Sequence, residues 1–297
     1  VPARAGVRVR VPATSANLGP GFDTLGLALG LYDDVELAVA DGPACTVDVE
    51  GEGAGRLPRD ERHLVLRAAQ ATFDRAGAPR VPLRLRCRNV IPHSRGLGSS
   101  AAAAVAGIVA ARALLADTHP LDDDTVLDLA AGFDGHADNV AACLFGGLVV
   151  AWGHEGTWHA ARLTPHPTLR PVALVSARSS STEATRGLLP DRVPHADAAF
   201  TAARAALAVH ALTSAPELLL AATEDRLHQP YRRPAYPETA TAVDRLRAAG
   251  IAAVVSGAGP TVLALTLDGR LPDDLDTTGF TVRALPVDTD GARAETL

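Results

Sequence analysis

The chain contains no lysine and no methionine, so all 28 of its basic residues are arginine. The missing lysine excludes a Walker-type phosphate loop, which needs an ammonium group to reach the outer phosphates. The skew itself reads as genome composition, and the missing methionine as a start residue removed or non-standard. Aromatic residues make up only 4% of the 297 positions, so alanine, leucine and valine have to fill the core. The three cysteines, Cys45, Cys87 and Cys143, form no CxxC pair; reduced, buried thiols of an intracellular protein are the expectation. Apolar runs stay well short of the roughly 18 residues of a membrane span. Residues 1–10 lack the apolar segment of a secretory signal, so the chain reads as cytoplasmic. A formal charge of −6 argues against the basic face of a nucleic-acid binder.

What is present is ample for a buried core: 47% hydrophobic and 21% charged residues in a chain long enough for two modest domains. Val7, Val9 and Val11 alternate with Arg8 and Arg10, and Val81, Leu83, Leu85 and Cys87 alternate with arginines, the period of half-buried strands. Segments 35–39, 46–49, 147–152 and 172–175 are further strand candidates. Helical spacing runs over 63–76, 99–115, 125–131, 197–212, 217–228 and 237–249. Two apolar runs, 251–255 and 262–267, flank a glycine-rich turn. Strands and helices that do not strictly alternate favour an α+β fold. A change of domain is expected near residue 160, giving 1–160 and 161–297.

The most informative stretch is PHSRGLGSSAA, formed by Pro92, His93, Ser94, Arg95, Gly96, Leu97, Gly98, Ser99, Ser100, Ala101 and Ala102. It leaves a strand candidate and opens a helix. Its glycines allow positive φ and close backbone approach. Its serines sit where unpaired N–H groups and the helix dipole favour an anion. A plain tight turn with a serine N-cap would use the same residues. Earlier, PATSANLGPGFDTLGLAL places Asn17 and Asp23 around a rigid Gly-Pro-Gly loop; later, SGAGPTVLAL joins the last two apolar runs. Each of these alone is also a respectable turn.

Together, in this order, the three strings resemble the three signature motifs of the GHMP kinases, over essentially the whole chain. The first string and DGHADNVAACLFGG, residues 134–147, resemble the homoserine kinases in particular. The resemblance implies an α+β fold with an N-terminal domain like the second domain of ribosomal protein S5 and a ferredoxin-like C-terminal domain. It implies ATP and Mg²⁺ as cofactors, L-homoserine as phosphoryl acceptor, a place in threonine biosynthesis, and a homodimer as a common assembly. Carried over residue by residue, 92–102 binds ATP, and Ser100 and Asp134 hold Mg²⁺. Asn17, Asp23, His136, Asn139, Arg186, Arg232, Gly257 and Gly259 line the substrate site. Two arginines suit a carboxylate, which a guanidinium grips bidentately. Asp134 stands where many relatives have Glu, and Ala137 where they have Pro, so Asp128 is a second candidate for the metal. No residue matches a general base. The alternatives are another GHMP kinase of the mevalonate type and a nucleotide-binding regulator that keeps the fold without turnover.

Overall fold

A computed structural model describes residues 5–180 and 182–297; Val1 to Arg4, within the segment read for a secretory signal, and Ser181 lie outside the described residues. The first half builds one sheet and the helices that cover it. Strand β1 (Gly6–Ala16) pairs antiparallel with the long β2 (Leu25–Val39), followed by β3 (Thr46–Gly51), helix α1 (Leu64–Arg75) and β4 (Leu83–Asn89). Next come α2 (Ser99–Leu115), α3 (Asp123–Asp134), α4 (Asp138–Phe145), β5 (Leu148–His154) and β6 (Thr157–Leu163). β2 serves two further partners, pairing with β4 through residues 34–39 and with β5 through 25–27.

The chain then enters a second sheet through β7 (Arg170–Ser176) and a helical stretch: α5 (Thr182–Arg186), α6 (His195–Thr213), α7 (Leu219–Ala222), α8 (Gln229–Arg232) and α9 (Pro237–Ala248). Strands β8 (Ala253–Val255), β9 (Val262–Thr266) and β10 (Phe280–Ala284) complete that sheet in the order β10-β7-β9-β8, all antiparallel. This is the ferredoxin-like order. The last strand, β11 (Arg293–Thr296), leaves the second sheet and pairs with β1 in the first. Before it does so, residues 286–288 run beside β2, with Gly30 N–H on Pro286 C=O and Asp288 N–H on Ala28 C=O.

Two local features aim the chain at the region between the sheets. The register of β1 against β2 shifts between Pro12 and Ala13. Proline has no ladder donor and is at home at such an irregularity. Before the shift the strand alternates buried valines with exposed arginines; after it every residue to Ala16 is buried, including Thr14 and Ser15. The strand therefore dives inward and delivers Asn17 to the interior. Helix α2 is alanine-rich and buried almost all round, as a helix without a polar face must be. Its Gly107 lets α1 come so close that an added Cβ would lie 2.2 Å from Val65 C=O.

Two sequence expectations change. The helix expected over 217–228 breaks after Ala222, because the Asp225 carboxylate takes the N–H groups of Leu227, His228 and Gln229 and starts α8 instead. Cys45 is only half-buried, its sulfur accepting from Leu83 N–H at 3.3 Å, while Cys87 and Cys143 are buried; all three are free thiols. Among the described residues no helix is long and apolar enough to cross a membrane.

Candidate active site

Three loops meet between the two sheets: the one after β1, the one between β4 and α2, and the one between β8 and β9. They are joined backbone to backbone, Thr14 N–H to Leu97 C=O at 3.1 Å and Gly257 N–H to Ala16 C=O at 3.1 Å. Side chains add to this. The Ser256 hydroxyl lies 2.6 Å from Gly96 C=O and 2.8 Å from the Ser15 hydroxyl, and Asn17 donates to Gly257 C=O at 2.8 Å. Glycine is required where the loops touch. A Cβ on Gly96 would fall 2.2 Å from Ser256 C=O and one on Gly98 1.9 Å from Thr14 Oγ1, and both positions have positive φ.

Helix α2 starts with Gly98 as its N-cap in the left-handed region, and no side chain caps it among the described residues. The N–H groups of its first turn are thereby left for a ligand, at the positive end of a 17-residue helix. The loop before it is fixed by Arg95, whose guanidinium bonds the carbonyls of His93, Ser176 and Ala177. Leu97 and Pro92 point into the core and anchor the loop.

A cavity of about 370 Å³ opens onto this helix mouth. Ser94, Arg95, Gly96, Gly98, Ser99, Ser100 and Ala101 form its floor. Asn17, Asp23, Asp134, His136, Asn139, Arg186, Arg232, Gly257 and Gly259 form its walls, so the sequence-predicted substrate and metal residues converge there. A second, largely apolar pocket of about 260 Å³ shares Ser94, Ser99 and Ser100 with it, and takes in His93 and Ala102. Its walls include Val11, Leu57, Pro58, Val65 and His63. A larger concavity, about 930 Å³, lies on the outer face of the first sheet. There Arg8–Glu36 and Arg10–Asp34 pair across strands, and the lining holds as many carboxylates as guanidiniums.

The charges in the 370 Å³ cavity are arranged tightly. Asp23 and Arg186 form a bidentate pair at 2.7 and 3.1 Å, with His136 Nε2 3.8 Å from the same carboxylate. Burial lowers the His136 pKa, opposed by Asp23. Arg232 is 1% exposed, yet among the described residues no carboxylate pairs with it, and its Nε has no partner. Asn17 also accepts from Asp23 N–H, at 3.0 Å, and Asn139 Oδ1 accepts from the Thr14 hydroxyl at 2.7 Å. Burial pushes Asp134 up to about 6, while the neighbouring Ser100 hydroxyl pulls the other way. Asp128 is turned elsewhere, taking Trp158 N–H at 3.3 Å.

Sequence reasoning passed over Asp138. Its side chain is buried at the start of α4, lines the cavity, and is pushed up to about 7, chiefly by burial. Its place inside the GHADN string was the available signal. His63 was noticed without a role. Its Nδ1 caps α1 by accepting from Val65 N–H, so Nε2 carries the hydrogen, and that atom is buried without a partner.

The fold and the loop arrangement are those of the GHMP kinases: the GHMP kinases N terminal domain family matches residues 63–147, and the GHMP kinases C terminal family matches residues 203–276. The chain is 59% identical to the homoserine kinase of Streptomyces avermitilis over 88% of this chain and 86% of that one. It is 54% identical to the homoserine kinase of Streptomyces coelicolor over 97% and 94%. The crystal structure of homoserine kinase from Cytophaga hutchinsonii matches with a TM-score of 0.85 at 25% identity, covering 99% of this chain and 98% of that one. The chain belongs to the homoserine kinases.

Proposed function

We propose that this chain transfers the γ-phosphoryl group of ATP to the side-chain hydroxyl of L-homoserine, giving O-phospho-L-homoserine and ADP. The reading is carried by Arg232: a buried guanidinium that pairs with no carboxylate among the described residues, in the wall of a cavity whose floor is a helix mouth. A buried charge without a partner is costly, and a ligand carboxylate within reach of this one supplies the missing acceptor. Asp23 and Arg186 fit the same substrate. They are bonded to each other, and a zwitterion entering between them offers an ammonium to Asp23 and a carboxylate to the arginines. His136 and Asn139 complete the wall nearest the helix mouth.

The base of ATP is assigned to the apolar pocket, with the triphosphate crossing the serines shared by both pockets. The buried Nε2–H of His63 faces a ring-nitrogen acceptor in this reading. Ser100 and Asp134 lie side by side and offer only oxygen, the donor set that Mg²⁺ prefers, and they leave room for phosphate and water ligands. A Mg²⁺ ion held by Ser100 and Asp134 would neutralise charge on the transferring phosphoryl group. Positioning and charge neutralisation are what a loose phosphoryl-transfer transition state demands, so the mechanism assigns no general base. The backbone N–H groups of 98–101 hold the phosphates, Arg232 and Arg186 fix the acceptor, and Asn139 borders the path of its hydroxyl.

The test is ADP release with homoserine, with mevalonate and with no acceptor, repeated for Arg232→Ala. Turnover is expected with homoserine only. Losing a charge-assisted contact of 1.5–3 kcal/mol raises the homoserine KM on the order of tenfold to a hundredfold, with little change for ATP. Equal effects on both substrates would remove the carboxylate assignment.

A further inference from the structure

Behind Arg232 lies a buried polar cluster that none of these roles uses. The side chains of Asp225 and His228 have no exposed surface, and the His228 ring stacks on Phe22 with centroids 5.0 Å apart. The imidazole Nε2 is 2.7 Å from Gly19 C=O and 3.5 Å from the Asp225 carboxylate. Its Nδ1 is 3.4 Å from a terminal nitrogen of Arg232. A carbonyl can only accept and a guanidinium can only donate, so one tautomer satisfies both: hydrogen on Nε2, lone pair on Nδ1.

We propose that His228 is a positioning residue for the acceptor's carboxylate, its Nδ1 lone pair orienting the Arg232 guanidinium while its Nε2–H pins the 17–23 loop through Gly19. One ring thereby sets both sides of the amino-acid site, the arginine from α8 and the loop that carries Phe22 and Asp23. The Phe22 ring is held between them, with the Arg186 and Arg232 guanidinium carbons each 5.3 Å from its centroid. Without the Nδ1 acceptor, Arg232 has no side-chain hydrogen-bond partner among the described residues, and only the Phe22 ring holds it toward the cavity. The charged groups around the imidazole are Asp225 on its own segment, Arg232 one helical turn on, and Asp23 from the facing loop. Burial holds the ring's pKa below its ordinary value, which favours the neutral tautomer. Protonation would set an N–H against the guanidinium.

The inference rests on Arg232 gripping the substrate, and two variants separate it from that reading. His228→Asn keeps an acceptor near the Nδ1 position, whereas His228→Gln keeps a donor near the Nε2 position and loses the acceptor. The expected result is a homoserine KM about tenfold higher in His228→Gln, the scale of one hydrogen bond to a charged group. Its ATP KM and kcat stay within about twofold, while His228→Asn, which keeps the acceptor and gives up only the neutral bond to Gly19, raises the homoserine KM by about threefold. In the wild type the homoserine KM rises as pH falls beneath the ordinary histidine range toward the lowered pKa of the His228 ring, and in His228→Gln that part of the rise is lost. Equal losses in both variants, or equal shifts for homoserine and ATP, would reduce His228 to packing and overturn the proposal. Should either variant fail to fold, the wild-type tautomer read by nitrogen NMR decides instead: hydrogen on Nε2 of His228 supports the proposal and hydrogen on Nδ1 refutes it. A wild type inactive on homoserine, or Arg232→Ala with an unchanged KM, sinks the function itself and this inference with it.

Discussion

Asp138 offers a measurement that needs no substrate. Its carboxyl is 3% exposed and is pushed from 3.8 up to about 7 by burial, with Asp23 and Asp134 adding to the effect and the Asn139 N–H, 2.7 Å away, opposing it. The folded chain therefore holds this proton more tightly than the unfolded one. Between the two pKa values the folded state carries more protons, so stability is lost as pH rises through that window. The gap of roughly three pH units, at about 1.4 kcal/mol each, amounts to about 4 kcal/mol by pH 8. Relaxation around the ionised group reduces this to the order of 2–4 kcal/mol, a large part of a typical folding free energy. Asp138→Asn keeps the oxygen that accepts from Asn139 and removes the ionisation. In urea unfolding at pH 5, 6.5 and 8, the stability of the variant relative to wild type should rise by about 2 kcal/mol from the lowest pH to the highest, an order-of-magnitude figure, because pH 5 already lies inside the window. Asp33, also pushed up to about 6, stays in both proteins and cancels in the difference, whereas Asp134 acts through its coupling to Asp138. A difference that does not grow with pH would refute the buried-carboxyl argument.

Asp134→Asn should raise the Mg²⁺ concentration for half-maximal turnover about tenfold, since one of two protein oxygens loses its charge; an unchanged Mg²⁺ titration would leave the metal to other ligands. His63→Asn keeps a good N-cap for α1 but is too short to carry a donor to the Nε2 position. Its ATP KM should rise about fivefold, the scale of one neutral hydrogen bond, while thermal stability and homoserine KM stay near wild type. A drop in stability without a change in ATP KM would make His63 a cap and nothing more.

Helix α2 was legible to the residue, because an alanine-rich run opened by Gly-Ser-Ser has few other solutions. β6, β10 and β11 were not legible: they lie at or near sheet edges, their residues are mostly exposed or half-buried, and they lack the apolar alternation that marks a strand. α4 was hidden because its first residues read as a polar cluster before a turn. At the site, the strings identified which loops meet, since Gly96 and Gly98 are needed for contacts with Ser256 and Thr14 far away in sequence. What no local pattern encodes is how the charges sort themselves. Asp23 and Arg186 are 163 positions apart, and only their packing decides that they neutralise each other while Arg232 is left without a carboxylate. Asp128 and Asp134 lie on the same helix, and its orientation alone gives one to Trp158 and the other to the cavity.

The chain crosses from the first sheet to the second between β6 and β7 and crosses back between β10 and β11, where the returning segment is stitched along β2 and Asp288 receives the Tyr32 hydroxyl at 2.9 Å. Two anchorages make a frame, not a hinge. Rotation of one half against the other would have to tear the strap from β2, so admission and release of ligands fall to the side chains and short loops at the rim. For the same reason the frame gives way as a whole, and heating should melt both sheets in one step.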